Sequence, residues 1–280
     1  MAEPLGRIAE LFFGGDQHAA RCLFEQSDDQ TVLHVPGGAR NNPILSTDWM
    51  PQVATLIDNN DLGPFEFDVI LKGTAVLPRE LLDLNSQPSA PAIDRALRQG
   101  ATLRVLGVSR FDPKCAAQLQ LLRRALQRGV FVNLYLTPAQ QPGLNLHYDL
   151  EDSLVVQVRG EKHWRLYEAG DGPKHPIAPS AGTPSVSGEP THIHMRAGDV
   201  LFVPSGVPHT VETRQSPSQH ITFGVRVSRQ IDLLGGLLEQ FAGGEEALRR
   251  PVRSGEHISR GQLADWANSF ERWLREPEAK

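Results

Sequence analysis

Between Asn145 and Tyr167 the chain reads NLHYDLEDSLVVQVRGEKHWRLY. In its first third, Leu144, Leu146 and Tyr148 alternate with Asn145, His147 and Asp149. Residues i, i+2 and i+4 of a strand share one face. The alternation therefore predicts a strand, LNLHYDL, with His147 and Asp149 on the same side. SLVVQVRG and KHWRLYEAG read as two further strands that turn at Gly160. If that turn preserves parity, Val156, Val158 and Lys162 share the inward face. An inward lysine is costly unless it is paired, and a bound carboxylate would pair it. A solvated lysine in a hairpin is the plain alternative.

The same period of two surrounds this stretch. VFVNLYLTP, HIHMRAG, DVLFVPSG, HTVETR and HITFGVRVS are short β-rich runs parted by Gly, Pro and Ser. Many short, evenly spaced strands predict an all-β sandwich or barrel. The segment from Ala169 to Thr191 is rich in Pro, Gly and Ser and reads as a long exposed loop.

Upstream the pattern is mixed. PLGRIAELFFGG predicts a short helix ended by Gly14 and Gly15. TVLHVPGG (31–38), FEFDVILKGT (65–74) and TLRVLGVSRF (102–111) predict strands. Asn85 to Ala92 reads as a Pro/Ser-rich loop. CAAQLQLLRRALQRG predicts a helix with Leu119, Leu122, Ala125 and Leu126 on one side, closed by Gly129. After Gln230 the helical period returns. Ile231, Leu234, Leu238 and Phe241 form one stripe; Leu263, Trp266, Phe270 and Trp273 form another. Both read as packing faces, over the barrel or in a dimer seam. Residues 1–228 are thus expected to form one mainly β domain with an N-terminal extension, and residues 229–280 a helical region.

Composition narrows the class. The 280 residues carry a formal charge of −5, which argues against nucleic acid as the main partner. Cys22 and Cys115 form neither a zinc pattern nor a disulfide framework. No apolar run approaches the roughly 18 residues of a membrane span. MAEPLGRIAE lacks the parts of a signal peptide. The expectation is a soluble, reduced, cytoplasmic protein with no membrane partner.

Two histidines and one carboxylate on facing strands make a triad suited to non-haem iron(II) chemistry. His147 and Asp149 supply two ligands. The third is expected at His209, in GDVLFVPSGVPHTVET, where Gly198, Pro204, Gly206 and His209 follow the second cupin motif, G-x5-P-x-G-x2-H. Thr213 stands where that motif continues with asparagine. A rival is a zinc site of His192, His194 and His209. His18, His34, His163, His175 and His257 show no partner in the sequence.

From Val132 to Trp164 the chain reads VNLYLTPAQQPGLNLHYDLEDSLVVQVRGEKHW. With N-x-Y-x-T-P, HYD, VVQVRGEKHWRLY and AGDVLFVPSGVPH in order, it resembles the JmjC ribosomal oxygenases. These are cupin-fold Fe(II)/2-oxoglutarate hydroxylases of ribosomal proteins. The likeness is clear over Val132 to Arg226 and weaker from Thr31 to Val130. It implies a mainly β fold, a double-stranded β-helix of cupin or jelly-roll type, with N-terminal α/β elements and a short C-terminal helical region. It implies iron on His147, Asp149 and His209. It places the cosubstrate 2-oxoglutarate on Lys162, with Asn133 and Tyr135 lining the pocket and Thr222 adding a hydroxyl; dioxygen is the oxidant.

About 50 residues follow the barrel, so the expectation is a compact member without the family's winged-helix domain, with homodimerisation through its C-terminal helices as a further expectation. The implied substrate is a protein or peptide side chain, ribosomal or a biosynthetic precursor peptide. The alternatives are a small molecule, N-methyl demethylation, or a metal-binding cupin without oxygenase activity, in which Lys162 has no task.

Overall fold

The computed structural model describes residues 2–25, 30–76, 78–171, 176, 178 and 183–275. Six antiparallel strands follow Gly129: β5 (Val130–Thr137), β6 (Asp152–Ala169), β7 (Val186–Arg196), β8 (Val200–Val203), β9 (His209–Glu212) and β10 (Ser218–Val225). Four precede it: β1 (Leu33–Val35), β2 (Phe67–Leu71), β3 (Thr74–Ala75) and β4 (Thr102–Val105). The main path runs β1-β8-β6-β10-β5-β4-β2-β3, and β7 and β9 flank β6. β6 serves both sides of the barrel. Its first half pairs with β8 and β10, its second half with β7 and β9. The fold is mainly β, of the double-stranded β-helix type.

Alternation on the main sheet separates two environments. Leu103 and Val105, Val132 and Leu134, Leu154 and Val156, and Ile221 and Phe223 join one buried core. The helices α1 (Ala2–Phe12), α3 (Trp49–Asp58), α4 (Ala90–Arg98) and α5 (Pro113–Leu126) supply its other side, through Phe12, Val53, Ile93 and Leu119. The short α2 (Gln17–Arg21) adds Ala20. Phe12 meets Phe223 edge-on at 5.5 Å. A second core lies inside the barrel, where Val155, Leu201 and Val203 meet Trp164, Leu166, Met195 and Val211.

Several expectations change. Residues 144–150 do not form a regular strand. Single bridges hold them, Leu144 to Gly73 and His147 to His209. Their burial does not alternate, because no neighbouring strand runs along them. Gly160 is not a turn: β6 is one strand of 18 residues. The predicted loop from Ala169 to Thr191 is partly strand, since β7 starts at Val186; residues 172–175, 177 and 179–182 of that loop lie outside the described residues. Asn85 to Ala92 is only partly loop, because Ser89 caps α4 and Pro91 sits in its first turn. Helix α5 ends at Gln127, in the left-handed region at φ +52°, before Gly129 is reached.

The parity of β6 also differs. Opposite β10, Gln219 faces Arg159 and His220 faces Gln157, which leaves Val158 as an extra residue. Gly160 follows at φ +64°, where a Cβ would run into the Pro217 carbonyl oxygen. One extra residue reverses which side the later side chains take. Val156 and Val158 therefore face the helix-covered core, while Lys162 and Trp164 face the barrel interior with Ser153 and Val155.

The chain divides into two compact units, Met1–Val227 and Ser228–Lys280. The second holds α6 (Gln230–Gly244), α7 (Glu246–Arg249) and α8 (Arg260–Arg275). Phe241 is buried against Phe270 and Trp273, with ring centroids at 5.4 and 5.8 Å. The rest of the α6 stripe, Ile231, Leu234 and Leu238, is exposed.

Candidate metal centre and its pocket

The His147 and His209 segments are joined back to back. The His147 N–H donates to the His209 carbonyl at 3.2 Å, and the His209 N–H to the His147 carbonyl at 2.8 Å. Each ring is then set by its own segment. His147 Nδ1 lies 2.7 Å from the Asn145 carbonyl oxygen, and His209 Nδ1 3.0 Å from that of Val207. A carbonyl accepts only, so both Nδ1 atoms carry the proton and both Nε2 atoms present lone pairs. Each Nε2 stands 3.9 Å from a different oxygen of Asp149.

Ser153 Oγ donates to Asp149 Oδ2 at 3.2 Å. Burial, with His147 beside it, pushes the His209 imidazole down to about 4, so it is neutral near pH 7. One donor atom from each of His147, Asp149 and His209 lies within 4.8 Å of the others. Two imidazoles and a carboxylate converging on one point fit a divalent transition metal.

The pocket extends from this triad between the two sheets. Tyr135, Ser153, Val155, Trp164 and Thr222 are among its walls. Lys162 is a further wall residue and is 1% exposed. Its Nζ donates to Thr137 Oγ1 at 2.7 Å, and Thr137 Oγ1 lies 3.0 Å from Thr102 Oγ1. No carboxylate pairs with Lys162 among the described residues, and burial pushes its ammonium down to about 7. A buried cation without a counter-ion, in the same cavity as a metal triad, fits a ligand that carries a carboxylate at its far end.

Of the expected site residues, His147, Asp149, His209, Lys162, Tyr135 and Thr222 line this one cavity. Asn133 is not among the cavity's lining residues; its Oδ1 accepts from the Gly107 N–H at 3.2 Å. His192 and His194 do not approach His209: His192 is in register with Arg165, and His194 with His163. The rival zinc grouping is not formed, because β7 carries both histidines on the outside of the barrel. His34 and His163, unpartnered in the sequence, do have partners. His34 Nε2 lies 3.4 Å from Asp199 Oδ2, and His163 stacks on His194. His175 lies outside the described residues.

Several pocket residues escaped the sequence reading, among them Ser153, His220 and Arg104. His220 stacks on Tyr135 at 4.7 Å and 5°, and its Nδ1 has no hydrogen-bond partner among the described residues. Burial, then Lys162, holds it well below the ordinary imidazole range. Its signal was available: His220 and Thr222 alternate with Ile221 and Phe223 in HITFGV. Arg104 lines the pocket from β4 and donates from Nε to Asp68 Oδ2 at 3.0 Å. Nothing in TLRVLG marks it beyond its place opposite apolar Leu103 and Val105.

Residues 107–233 match the JmjC domain family. That stretch, a little under half of the chain, is similar to a JmjC domain. That match spans the triad and Lys162 and leaves Thr102 and Arg104 outside it. Over 188 residues the chain is 29% identical to a Dictyostelium discoideum protein named bifunctional lysine-specific demethylase and histidyl-hydroxylase NO66, covering 65% of this chain and 36% of that protein. It is 35% identical over 133 residues to ribosomal oxygenase 2 of Bos taurus, covering 43% and 27%. The chain thus spans about a third or less of the length of these curated relatives.

Among solved structures, Escherichia coli ycfD superposes with a TM-score of 0.62 at 15% identity, covering 92% of this chain and 68% of that one. The complex of Escherichia coli YcfD, a ribosomal oxygenase, with cobalt and 2-oxoglutarate gives a TM-score of 0.58 at 16% identity, with coverage of 89% and 64%. At such identity the likeness is one of fold. It places the barrel in the same architecture.

Proposed function

We propose that this chain is an Fe(II)- and 2-oxoglutarate-dependent oxygenase that hydroxylates an amino-acid side chain of a protein or peptide. The observation that carries the reading is the shared cavity, with a His-Asp-His triad and an unpaired buried lysine in it. The two sites explain each other. A triad alone serves many metal proteins. A buried lysine without a carboxylate is otherwise only a cost.

His147, Asp149 and His209 would hold the iron, and Lys162 with Thr137 would hold the distal carboxylate of 2-oxoglutarate. The iron and its cosubstrate, when bound, supply dioxygen-driven hydroxylation of an unactivated C–H, with release of succinate and carbon dioxide. The protein's own residues do the positioning. The carbonyls of Asn145 and Val207 keep both Nε2 lone pairs turned to Asp149. Ser153 steadies one carboxylate oxygen. Trp164, Val155 and Val211 keep the walls apolar and water scarce. Tyr135 and Thr222 offer hydroxyls along the same cavity.

The names of the relatives support a ribosomal-protein substrate. The demethylase half of the NO66 name supports a second reading, N-methyl demethylation by the same residues. The exposed α6 stripe supports a homodimer through the C-terminal helices. No helix among the described residues is long and apolar enough to cross a membrane.

Anaerobic addition of Fe(II) and 2-oxoglutarate is expected to raise a weak visible charge-transfer band. Its absence from folded protein would sink the assignment. Mass spectrometry of ribosomal proteins and peptides after turnover then separates a gain of one oxygen from the loss of a methyl group.

A further inference from the structure

We propose that Glu161, His163 and His194 form a second divalent-metal site, for Zn2+, on the outer face of the sheet formed by β7, β6 and β9. Antiparallel pairing puts His163 of β6 directly opposite His194 of β7. Their rings stack at 4.0 Å and 15°. Glu161 lies two residues before His163 on the same face, and its Oε2 is 2.7 Å from His194 Nε2. One donor atom from each residue lies within 4.8 Å of the other two, the same convergence as in the triad inside the barrel.

This cluster is separate from that triad. Lys162 and Trp164, the alternate residues of β6, are buried inside the barrel. Glu161, His163 and His194 therefore face outward, with side-chain exposures of 22% for Glu161 and 34% for His194. Two imidazoles and one carboxylate, with water in the remaining position, are a recognised zinc donor set. Imidazole donors favour zinc over magnesium or calcium.

The neighbours are already committed. Glu212, the register partner of His163 on β9, is held by Arg165 at 2.8 Å and Arg214 at 3.1 Å, so it does not complete the site. A stacked histidine pair with one ion pair explains the contacts but leaves three donors converging without a use. A metal uses all three and ties β6 to β7.

The test uses the 280-residue chain with Asp149→Ala and His209→Ala, which removes the interior triad. Micromolar Zn2+, followed by calorimetry and by metal content after gel filtration, is expected to load one equivalent and raise the melting temperature. Co2+ is expected to give the visible bands of a site with imidazole ligands. Adding His163→Ala and His194→Ala should remove that equivalent, and Glu161→Gln should weaken it at least about tenfold, as for a lost metal contact. If the triad variant does not fold, the comparison moves to the unaltered triad, with two equivalents expected in the parent and one in His163→Ala/His194→Ala. A single equivalent in the parent, or a second one that survives the histidine replacements, overturns the proposal.

Discussion

His147 and His209 exchange both backbone hydrogen bonds, at 3.2 and 2.8 Å, so two distant segments present their imidazoles as one unit. Their Nε2 atoms lie equally far, 3.9 Å, from the two oxygens of Asp149. His209→Ala should therefore abolish the 2-oxoglutarate-dependent visible band and all turnover. Ser153→Ala, which removes only a hydrogen bond to Asp149, should weaken iron binding within the roughly 10–100-fold range of outer partners. His192→Ala, outside the barrel, should leave the band unchanged. A band that survives His209→Ala contradicts the assignment.

Lys162 sets a pH dependence. Its charged form is disfavoured by burial, and its folded pKa of about 7 lies below the ordinary 10.5. The cost of burying the charge is present in full below about pH 7 and fades as the pH rises toward 10.5. Stability of the unliganded protein should rise with pH across that window. Lys162→Met should be more stable than the parent at pH 6 and lose the advantage by pH 10 in denaturant titrations. It should also bind 2-oxoglutarate at least about tenfold more weakly, as expected for a lost buried charge pair.

Pairing with the carboxylate should recharge the amine. At pH 8, binding of 2-oxoglutarate is then accompanied by uptake of part of a proton. Calorimetry in two buffers of different ionisation enthalpy reads this directly. Enthalpies that agree in both buffers would falsify the pairing of Lys162 with the cosubstrate.

Gly160 holds the bulge that turns Lys162 inward. Gly160→Ala meets the Pro217 carbonyl oxygen at a positive φ. The loss should be about 2 kcal/mol or more in urea unfolding, larger than the cost of a strained backbone alone. It should also weaken 2-oxoglutarate binding, since Lys162 lies two residues on. Gly188→Ala, also at positive φ but with open space around it, should cost less.

The C-terminal stripe tests assembly. Ile231, Leu234 and Leu238 are 52%, 42% and 43% exposed, an apolar row that a second copy would cover. Leu234→Glu with Leu238→Glu should shift the mass in analytical ultracentrifugation from dimer to monomer. Phe241, buried against Phe270 and Trp273, is left in place so that the helices stay folded. A parent protein that sediments as a monomer removes the dimer from the account.

By itself the sequence determined the class of fold and the chemistry available to it. A period of two between Val130 and Val225, broken by Gly and Pro, specifies paired strands because one face of each must be buried. The residue types His147, Asp149, His209 and Lys162 are legible because such groups are expensive inside a barrel without a use. Tertiary structure decided how they meet. His147 and Asp149 converge without the strand that their spacing implied, because a single bridge to His209 holds them. Lys162 reaches the interior through the extra residue at Val158, which no periodicity announces. Arg104 and the His163–His194 pair were invisible for the same reason: register between strands is set by which residues lie opposite, and a one-residue shift exchanges the inside of the barrel for the outside.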